Sequence, residues 1–247
     1  MESSSIVFTD SSGKQISKEE LSKSTGKFDF QIYGAEGVPE IAKQLHNQAR
    51  TFGQMGDHSQ AIETLLKAHE LAPKWPYPLY DLAYTYLIQD DSENALKYYR
   101  LTDELAPRGF FTSKTALFTL EKEKKGEYPS GIYQLYMSLE WIDDPEVKLH
   151  ITKIVTDRAP KYAAGWKALS MLLEGDEREK AIDKGLELEA DIETKGMLLI
   201  NKAIILNAKG EKEKAKEMQS KLILDPEASY GCVEVAKFTL NSMIQSK

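Results

Sequence analysis

The sequence has little cysteine, no excess of basic residues and no long apolar run. Cys232 is the only cysteine in 247 residues, which excludes an intrachain disulfide and a zinc site built from cysteines. Asp and Glu outnumber Lys and Arg by 39 to 32, giving a net charge of −7. A general binder of nucleic acid or of anionic membranes needs clustered positive charge, so both classes are disfavoured. The longest apolar stretches, such as 197–200, are too short to span a bilayer.

Motifs that carry reaction chemistry are also missing. The sequence contains no glycine-rich phosphate loop and no serine nucleophile elbow. No histidine has a second histidine or a carboxylate at metal-ligand spacing on a shared helix face. We therefore expect no cofactor, no metal and no enzymatic activity. The first ten residues lack the basic head and apolar run of a signal peptide, so a cytoplasmic location is expected.

A 34-residue repeat is the strongest pattern in the sequence. Ala61 and Pro73 recur as Ala95 and Pro107, within the blocks AIETLLKAHELAP and ALKYYRLTDELAP. Each block begins a helix after a polar turn, and each proline ends one because its ring cannot continue the helical hydrogen bonds. The stretch 41–107 therefore predicts two helical hairpins in register.

This pattern resembles the tetratricopeptide repeat family, whose units combine small residues, which allow close helix contact, with large residues that fill the space beside them. The first unit supplies Leu45, Gln48, Ala49 and Phe52, then Ala61, Leu65, Ala68 and Pro73. The second supplies Leu79, Leu82, Ala83 and Tyr86, then Ala95, Tyr99, Thr102 and Pro107. Gln48 and Thr102 depart from the family pattern. The resemblance implies an all-α helical-repeat solenoid of about twelve helices, with a small N-terminal α/β or irregular cap.

We divide the chain into five segments. Residues 1–37 form a cap or arm, with predicted strands at 6–8 and 28–33 and a short helix over 18–23. Residues 38–107 are the two regular repeats, and 108–160 is an irregular helical segment. Residues 161–227 hold two degenerate repeats, and the amphipathic stretch 228–247 is a capping helix, which a repeat array needs at its end.

The irregular segment contains three predicted helices, at 113–125, 130–142 and 145–158. An odd number leaves one helix without a partner in a hairpin. Either 130–142 pairs with 145–158, or 113–125 pairs with 130–142. The sequence leaves both pairings open.

The resemblance also implies a role in protein–protein interaction. Members of this family hold a peptide or helix of a partner on the concave surface, which the first helices of the repeats line. Tyr77, Tyr80 and Tyr84 share one helix face, separate from the positions that pack within the hairpin. The predicted partner-binding residues are Lys43, His46, Arg50, Tyr77, Tyr80, Tyr84, Lys114 and Phe118.

Alternatives remain for this face and for the function. The three tyrosines either line an exposed groove or pack internally, against the helix at 111–122 or against the aromatic segment 28–33. The alternative function is a small-molecule pocket in 108–160, where Lys114, Glu140, Asp143, Asp144 and His150 supply polar groups. Self-association through the ends of the array is a third hypothesis.

Overall fold

A computed structural model describes residues 6–9, 15–16, 29–32 and 37–245 of the chain. The described part of the chain contains twelve α-helices and one short 3₁₀ helix, and it has the predicted all-α, tetratricopeptide-like repeat architecture. The helices are α1 (Glu40–Gln54), α2 (His58–Leu71), α3 (Pro76–Ile88), α4 (Ser92–Leu105), α5 (Ser113–Lys124), α6 (Ile132–Ser138), α7 (Pro145–Arg158), α8 (Ala163–Ser170), α9 (Gly175–Leu186), α10 (Ile192–Ala208), α11 (Lys212–Leu224) and α12 (Tyr230–Gln245). None of these helices combines the length and the apolar character that crossing a membrane requires.

Among the described residues, three short strands precede the helices: β1 (Ile6–Thr9), β2 (Gln15–Ile16) and β3 (Asp29–Ile32). They form an antiparallel sheet in the order β2-β1-β3, in which Val7 is paired with Gln31. Both predicted strands are present. The sequence did not predict β2, because two residues are too few to show an alternating pattern. The predicted helix over 18–23 lies outside the described residues.

The chain divides into two compact units, and the first unit contains the described residues 37–121. Here α1 packs on α2, α3 packs on α4, and α2 joins the two hairpins by packing on α3. The side chains of Asp57 and Asp91 accept hydrogen bonds from the backbone N–H groups of Gln60 and Asn94, which caps α2 and α4 at equivalent points. The same helix cap therefore occurs in both turns, 34 residues apart.

The small residues of the repeat pattern are buried where the helices meet. Ala49, Ala61, Ala83 and Ala95 are all at most 1% exposed. Thr102 stands where the pattern expects another small residue, and it is fully buried. Its hydroxyl donates to the carbonyl of Tyr98 on the same helix, at 2.9 Å, so the buried oxygen is satisfied. The other departure, Gln48, is exposed.

The second unit contains residues 122–245 together with the three strands. Here α6 packs against α7, which decides the open question in favour of the pairing of 130–142 with 145–158. The predicted helix at 130–142 is shorter than expected: α6 ends at Ser138 and continues as a 3₁₀ helix, Leu139–Trp141. The carboxylate of Glu123 accepts hydrogen bonds from the backbone N–H groups of Gly131 and Tyr133, at 2.8 and 2.7 Å, and so holds the start of α6.

The remaining helices pack as successive neighbours from α7 to α12. Gly196 on α10 lies so close to α12 that a Cβ atom there would be 2.5 Å from Cys232 Sγ. Lys202 on α10 reaches α9, where it donates hydrogen bonds to Asp183 at 2.6 Å and to Glu179 at 3.1 Å. The five-segment division predicted from the sequence is a finer partition than these two units and stays a prediction.

Candidate functional site

A partly buried hydrogen bond sets the alignment of the first helices of the two repeats. His46 on α1 donates from Nε2 to Asp81 Oδ2 on α3, at 2.8 Å. The His46 side chain is 5% exposed and the Asp81 side chain is 25% exposed. Two short connections reverse the chain direction between α1 and α3, so these two helices run parallel. One turn before this bond lie Lys43 and Tyr77, and one turn beyond it lie Arg50 and Tyr84.

An aromatic cluster surrounds the imidazole. The His46 ring contacts Trp75 at a centroid distance of 5.0 Å and Tyr77 at 5.7 Å, both edge-on. Tyr77 in turn contacts Phe110 edge-on at 4.7 Å. Offset and edge-to-face aromatic pairs each contribute roughly 0.5–1.5 kcal/mol beyond their buried area. The cluster therefore fixes the N-terminal end of α3 against α1 and against the segment that follows α4.

The turn before α5 brings a further aromatic ring to the same face. Phe111 has φ of +49°, in the left-handed region that bulky residues rarely adopt. Its ring contacts Tyr77 at 5.5 Å and Tyr80 at 5.2 Å. Next to it, the hydroxyl groups of Tyr80 and Thr112 are 2.8 Å apart and hydrogen-bonded. A strained backbone therefore holds Phe111 against two of the predicted site residues.

The predicted basic residues differ in their surroundings. Lys43 is exposed and is 3.6 Å from Glu40 on its own helix, a surface pair of small energetic weight. Lys114 is paired with Asp103 on α4 at 2.6 Å, which ties α5 to the second helix of the preceding repeat. Arg50 is exposed, and within 37–245 no hydrogen bond or ion pair involves it. Arg50 is therefore the predicted cation most available to an anionic ligand.

The structure thus groups part of the predicted set. His46, Tyr77 and Tyr80 belong to one continuous aromatic cluster, which also contains three rings that were not among the predicted site residues: Trp75, Phe110 and Phe111. Tyr84 is half-buried one turn beyond Tyr80, and Phe118 is half-buried on α5. We call Tyr77, Tyr80 and Tyr84 the tyrosine face. Its three residues are half-buried: Tyr77 and Tyr80 contact Phe111, which belongs to the segment 111–122 named for internal packing, and part of each tyrosine stays exposed. A signal for the added rings was present in the sequence as Trp75-Pro76 and Gly109-Phe110-Phe111.

Other chemical groups have structural roles. The described residues contain no group of three or more His, Cys, Asp or Glu side chains placed to hold a metal ion. Burial raises the pKa of the Cys232 thiol to about 12, which suppresses the thiolate that a nucleophile needs. In the segment proposed for a small-molecule pocket, Asp144 accepts hydrogen bonds from two backbone N–H groups and caps α7. Glu140, Asp143 and His150 are exposed.

Comparisons with known proteins concern the repeat architecture. The family model described as Tetratricopeptide repeat matches residues 42–74 and 77–108, about a quarter of the chain. These are the two units predicted from the sequence. No curated protein matches the chain in a sequence comparison.

Several solved structures resemble this chain over most of its length. A tetratricopeptide protein of Thermus thermophilus is 18% identical, with 81% of this chain and 99% of that chain covered and a TM-score of 0.34. MamA from Desulfovibrio magneticus RS-1 is 16% identical, with coverages of 81% and 99% and a TM-score of 0.36. The TPR2AB domain of yeast Sti1, solved as a complex with pHSP90, is 17% identical, with coverages of 83% and 86% and a TM-score of 0.34. At these values nothing about the ligand of this chain follows from them.

Proposed function

We propose that this tetratricopeptide-repeat protein is a protein-interaction module that binds a peptide or helix of a partner on the tyrosine face. The observation that carries the proposal is the grouping of half-buried tyrosine rings on α3, the first helix of the second matched repeat, with the exposed Arg50 on α1, the first helix of the first repeat. Aromatic rings with polar tips and arginine are the side chains that contribute most to protein interfaces. The proposed mechanism is non-covalent binding, without a reaction step.

Half-buried rings suit this role because their geometry is fixed before a partner arrives. Tyr77 and Tyr80 are held by edge contacts and by the hydroxyl pair with Thr112. A partner therefore meets a surface that loses little side-chain entropy on binding. Lys43, at the opposite end of the face from Arg50, adds a second positive charge at the margin.

A site-specific crosslinking experiment on the full chain tests this proposal. A photoreactive amino acid replaces Gln54, one turn beyond Arg50 on α1, or Gln60, an exposed glutamine on α2. We expect partner proteins in a native lysate to crosslink through position 54 and not through position 60. Equal crosslinking from both positions, or crosslinking from position 60 alone, would show that the tyrosine face is not the binding surface.

A further inference from the structure

The tyrosine face presents aromatic rather than aliphatic surface. Between Tyr77 and Tyr84, the aliphatic side chains Leu79, Leu82 and Ala83 are at most 2% exposed, because they form the interior of the hairpin. An amphipathic helix lays its apolar face into a hydrophobic groove, and the aliphatic side chains that could line such a groove on α3 are buried. A surface of aromatic rings instead matches proline-containing segments, which dock in the polyproline II conformation on aromatic-lined grooves.

The spacing of the rings fits such a segment. Tyr77 and Tyr84 are seven residues apart on α3, which corresponds to about 10 Å along a helix axis. A polyproline II segment repeats every three residues, or about 9 Å. Prolines on one side of an extended peptide lying along α3 would therefore meet Tyr77 and Tyr84 in turn. The peptide face between them would meet Tyr80.

The strained turn beside this face points in the same direction. Phe111 adopts a left-handed conformation that costs a non-glycine residue about 1–2 kcal/mol. That conformation directs its ring onto Tyr77 and Tyr80, and both rings are thereby fixed. Polyproline II is likewise ordered before binding, so the association of two preformed surfaces loses little conformational entropy.

The charge beside the face selects the sequence around the prolines. Arg50 lies at the Tyr84 end of the face, is exposed, and takes part in no hydrogen bond or ion pair within residues 37–245. At the middle of the face the Asp81 carboxylate is engaged by His46. A carboxylate of the ligand is therefore favoured at the Arg50 end and disfavoured near Asp81.

We infer that the tyrosine face binds an extended, proline-containing segment of a partner protein, with an acidic residue of that segment beside Arg50. This inference rests on the proposed function and names the class of ligand. It makes the tyrosine rings the source of affinity and Arg50 the source of the preference for an acidic neighbour.

Fluorescence anisotropy with synthetic peptides tests the inference on the full 247-residue chain. The probes are a labelled octaproline with two aspartates at one end, the same peptide with two serines instead, and a glycine-serine peptide carrying the two aspartates. Octaprolines with the aspartates at either end are compared, because the chain direction of the ligand is open. We expect the acidic octaproline to bind most tightly and the glycine-serine peptide to bind at least about tenfold more weakly, a difference of about 1.4 kcal/mol.

Two variants and a matched control locate the binding. Tyr84→Leu removes a ring from the face, whereas Tyr86→Leu removes a half-buried ring from the same helix that stacks on Tyr98 instead. We expect Tyr84→Leu to weaken octaproline binding about tenfold and Tyr86→Leu to leave it unchanged. Arg50→Gln alters an exposed side chain and should weaken only the aspartate-containing peptides, by an amount that falls with added salt. Circular dichroism confirms that each variant is folded.

Several outcomes overturn the inference. If the glycine-serine and proline peptides bind equally tightly, proline is not the feature that the protein recognises. If Tyr84→Leu and Tyr86→Leu weaken binding equally, the tyrosine face is not the binding surface. If no proline peptide binds while partners still crosslink through position 54, the ligand class is wrong and the proposed function stands. If crosslinking fails as well, both proposals fall.

Discussion

The hydrogen bond between His46 and Asp81 gives a quantitative test of how the two repeats are aligned. Replacing Asp81 by alanine leaves the imidazole N–H buried without an acceptor, because the His46 side chain is only 5% exposed. An unsatisfied buried donor costs about 1–3 kcal/mol. Replacing Asp81 by asparagine keeps an oxygen at nearly the same place, so the bond survives in a neutral and weaker form.

We therefore expect Asp81→Ala to lower the free energy of unfolding by about 2 kcal/mol and Asp81→Asn to lower it by less than about 1 kcal/mol. Reversible urea denaturation, followed by circular dichroism, measures both. Glu63→Ala provides the control, since Glu63 pairs with Lys67 on the surface of α2 and both side chains are more than half exposed. Loss of such a surface pair is expected to change stability by at most about 1 kcal/mol.

A double-mutant cycle with His46→Ala isolates the interaction from the packing of the imidazole on Trp75 and Tyr77. We expect a coupling free energy of about 1–2 kcal/mol between positions 46 and 81. Equal destabilisation by the alanine and asparagine variants of Asp81, with a coupling near zero, would refute this reasoning. The alignment of Arg50 with Tyr84, which the ligand proposal uses, would then lose its support.

Three further predictions concern local packing and protonation. Gly53→Ala on α1, where a Cβ would meet nothing within 4 Å, should stabilise the protein by about 0.5–1 kcal/mol. Gly196→Ala should destabilise it by about 1–3 kcal/mol, because the added Cβ clashes with Cys232. Thermal unfolding of both variants should show a raised Tm for the first and a lowered Tm for the second. Because burial raises the pKa of the Cys232 thiol to about 12, labelling by iodoacetamide at pH 8 should be slow in the native protein and fast in urea. Burial also raises the pKa of the Glu123 carboxyl, despite its backbone hydrogen bonds. The stability of the wild type relative to Glu123→Gln should therefore decline as pH rises through that pKa. Urea titrations across pH 4–8 would contradict this if the difference in unfolding free energy between the two proteins stayed constant.

The sequence predicted the repeated hairpins well because their determinants are local. Ala61 and Ala95 must be small wherever they occur, and Pro73 and Pro107 end a helix whatever surrounds them. The helix ends that these prolines predict agree with the structure, where α2 ends at Leu71 and α4 at Leu105, two residues before each proline. The cap residue Asp57 was likewise readable as part of a turn.

The middle of the chain could not be resolved in this way. The pairing of α6 with α7 depends on non-local contacts, and periodicity alone permitted two pairings. The start of α6 also depends on a non-local contact. Glu123, eight or more residues away, supplies the hydrogen-bond acceptors that fix where α6 begins. No short-range pattern in the segment contains that information.

The sequence predicted the tyrosine face of the candidate site, but it did not predict the aromatic cluster to which Tyr77 and Tyr80 belong. Helical spacing placed Tyr77, Tyr80 and Tyr84 together, because it depends only on the 3.6-residue period. The partnership of His46 with Asp81 depends on how two repeats stack. With His46 as its donor, Asp81 has a structural role in aligning the two repeats.

The largest gap was the turn at Phe111, and the conformation of that turn makes its own prediction. Phe111→Gly and Phe111→Ala both remove the ring from Tyr77 and Tyr80, so their difference reports the backbone alone. Alanine keeps the cost of the left-handed conformation, about 1–2 kcal/mol, and glycine avoids it. Glycine loses about 0.4–1 kcal/mol of this advantage because it increases the conformational entropy of the unfolded chain. We expect the glycine variant to be more stable by about 0.5–1 kcal/mol.

The same pair of substitutions at Phe118, inside α5, should give the opposite order, since glycine is about 1 kcal/mol worse than alanine within a helix. Urea denaturation of the four variants compares the two positions directly. If alanine is the more stable replacement at both, residue 111 does not hold a left-handed conformation in solution. The turn would then be free to relax, the aromatic surface on Tyr77 and Tyr80 would not be fixed before binding, and the argument for a preformed proline-binding face would lose its second support.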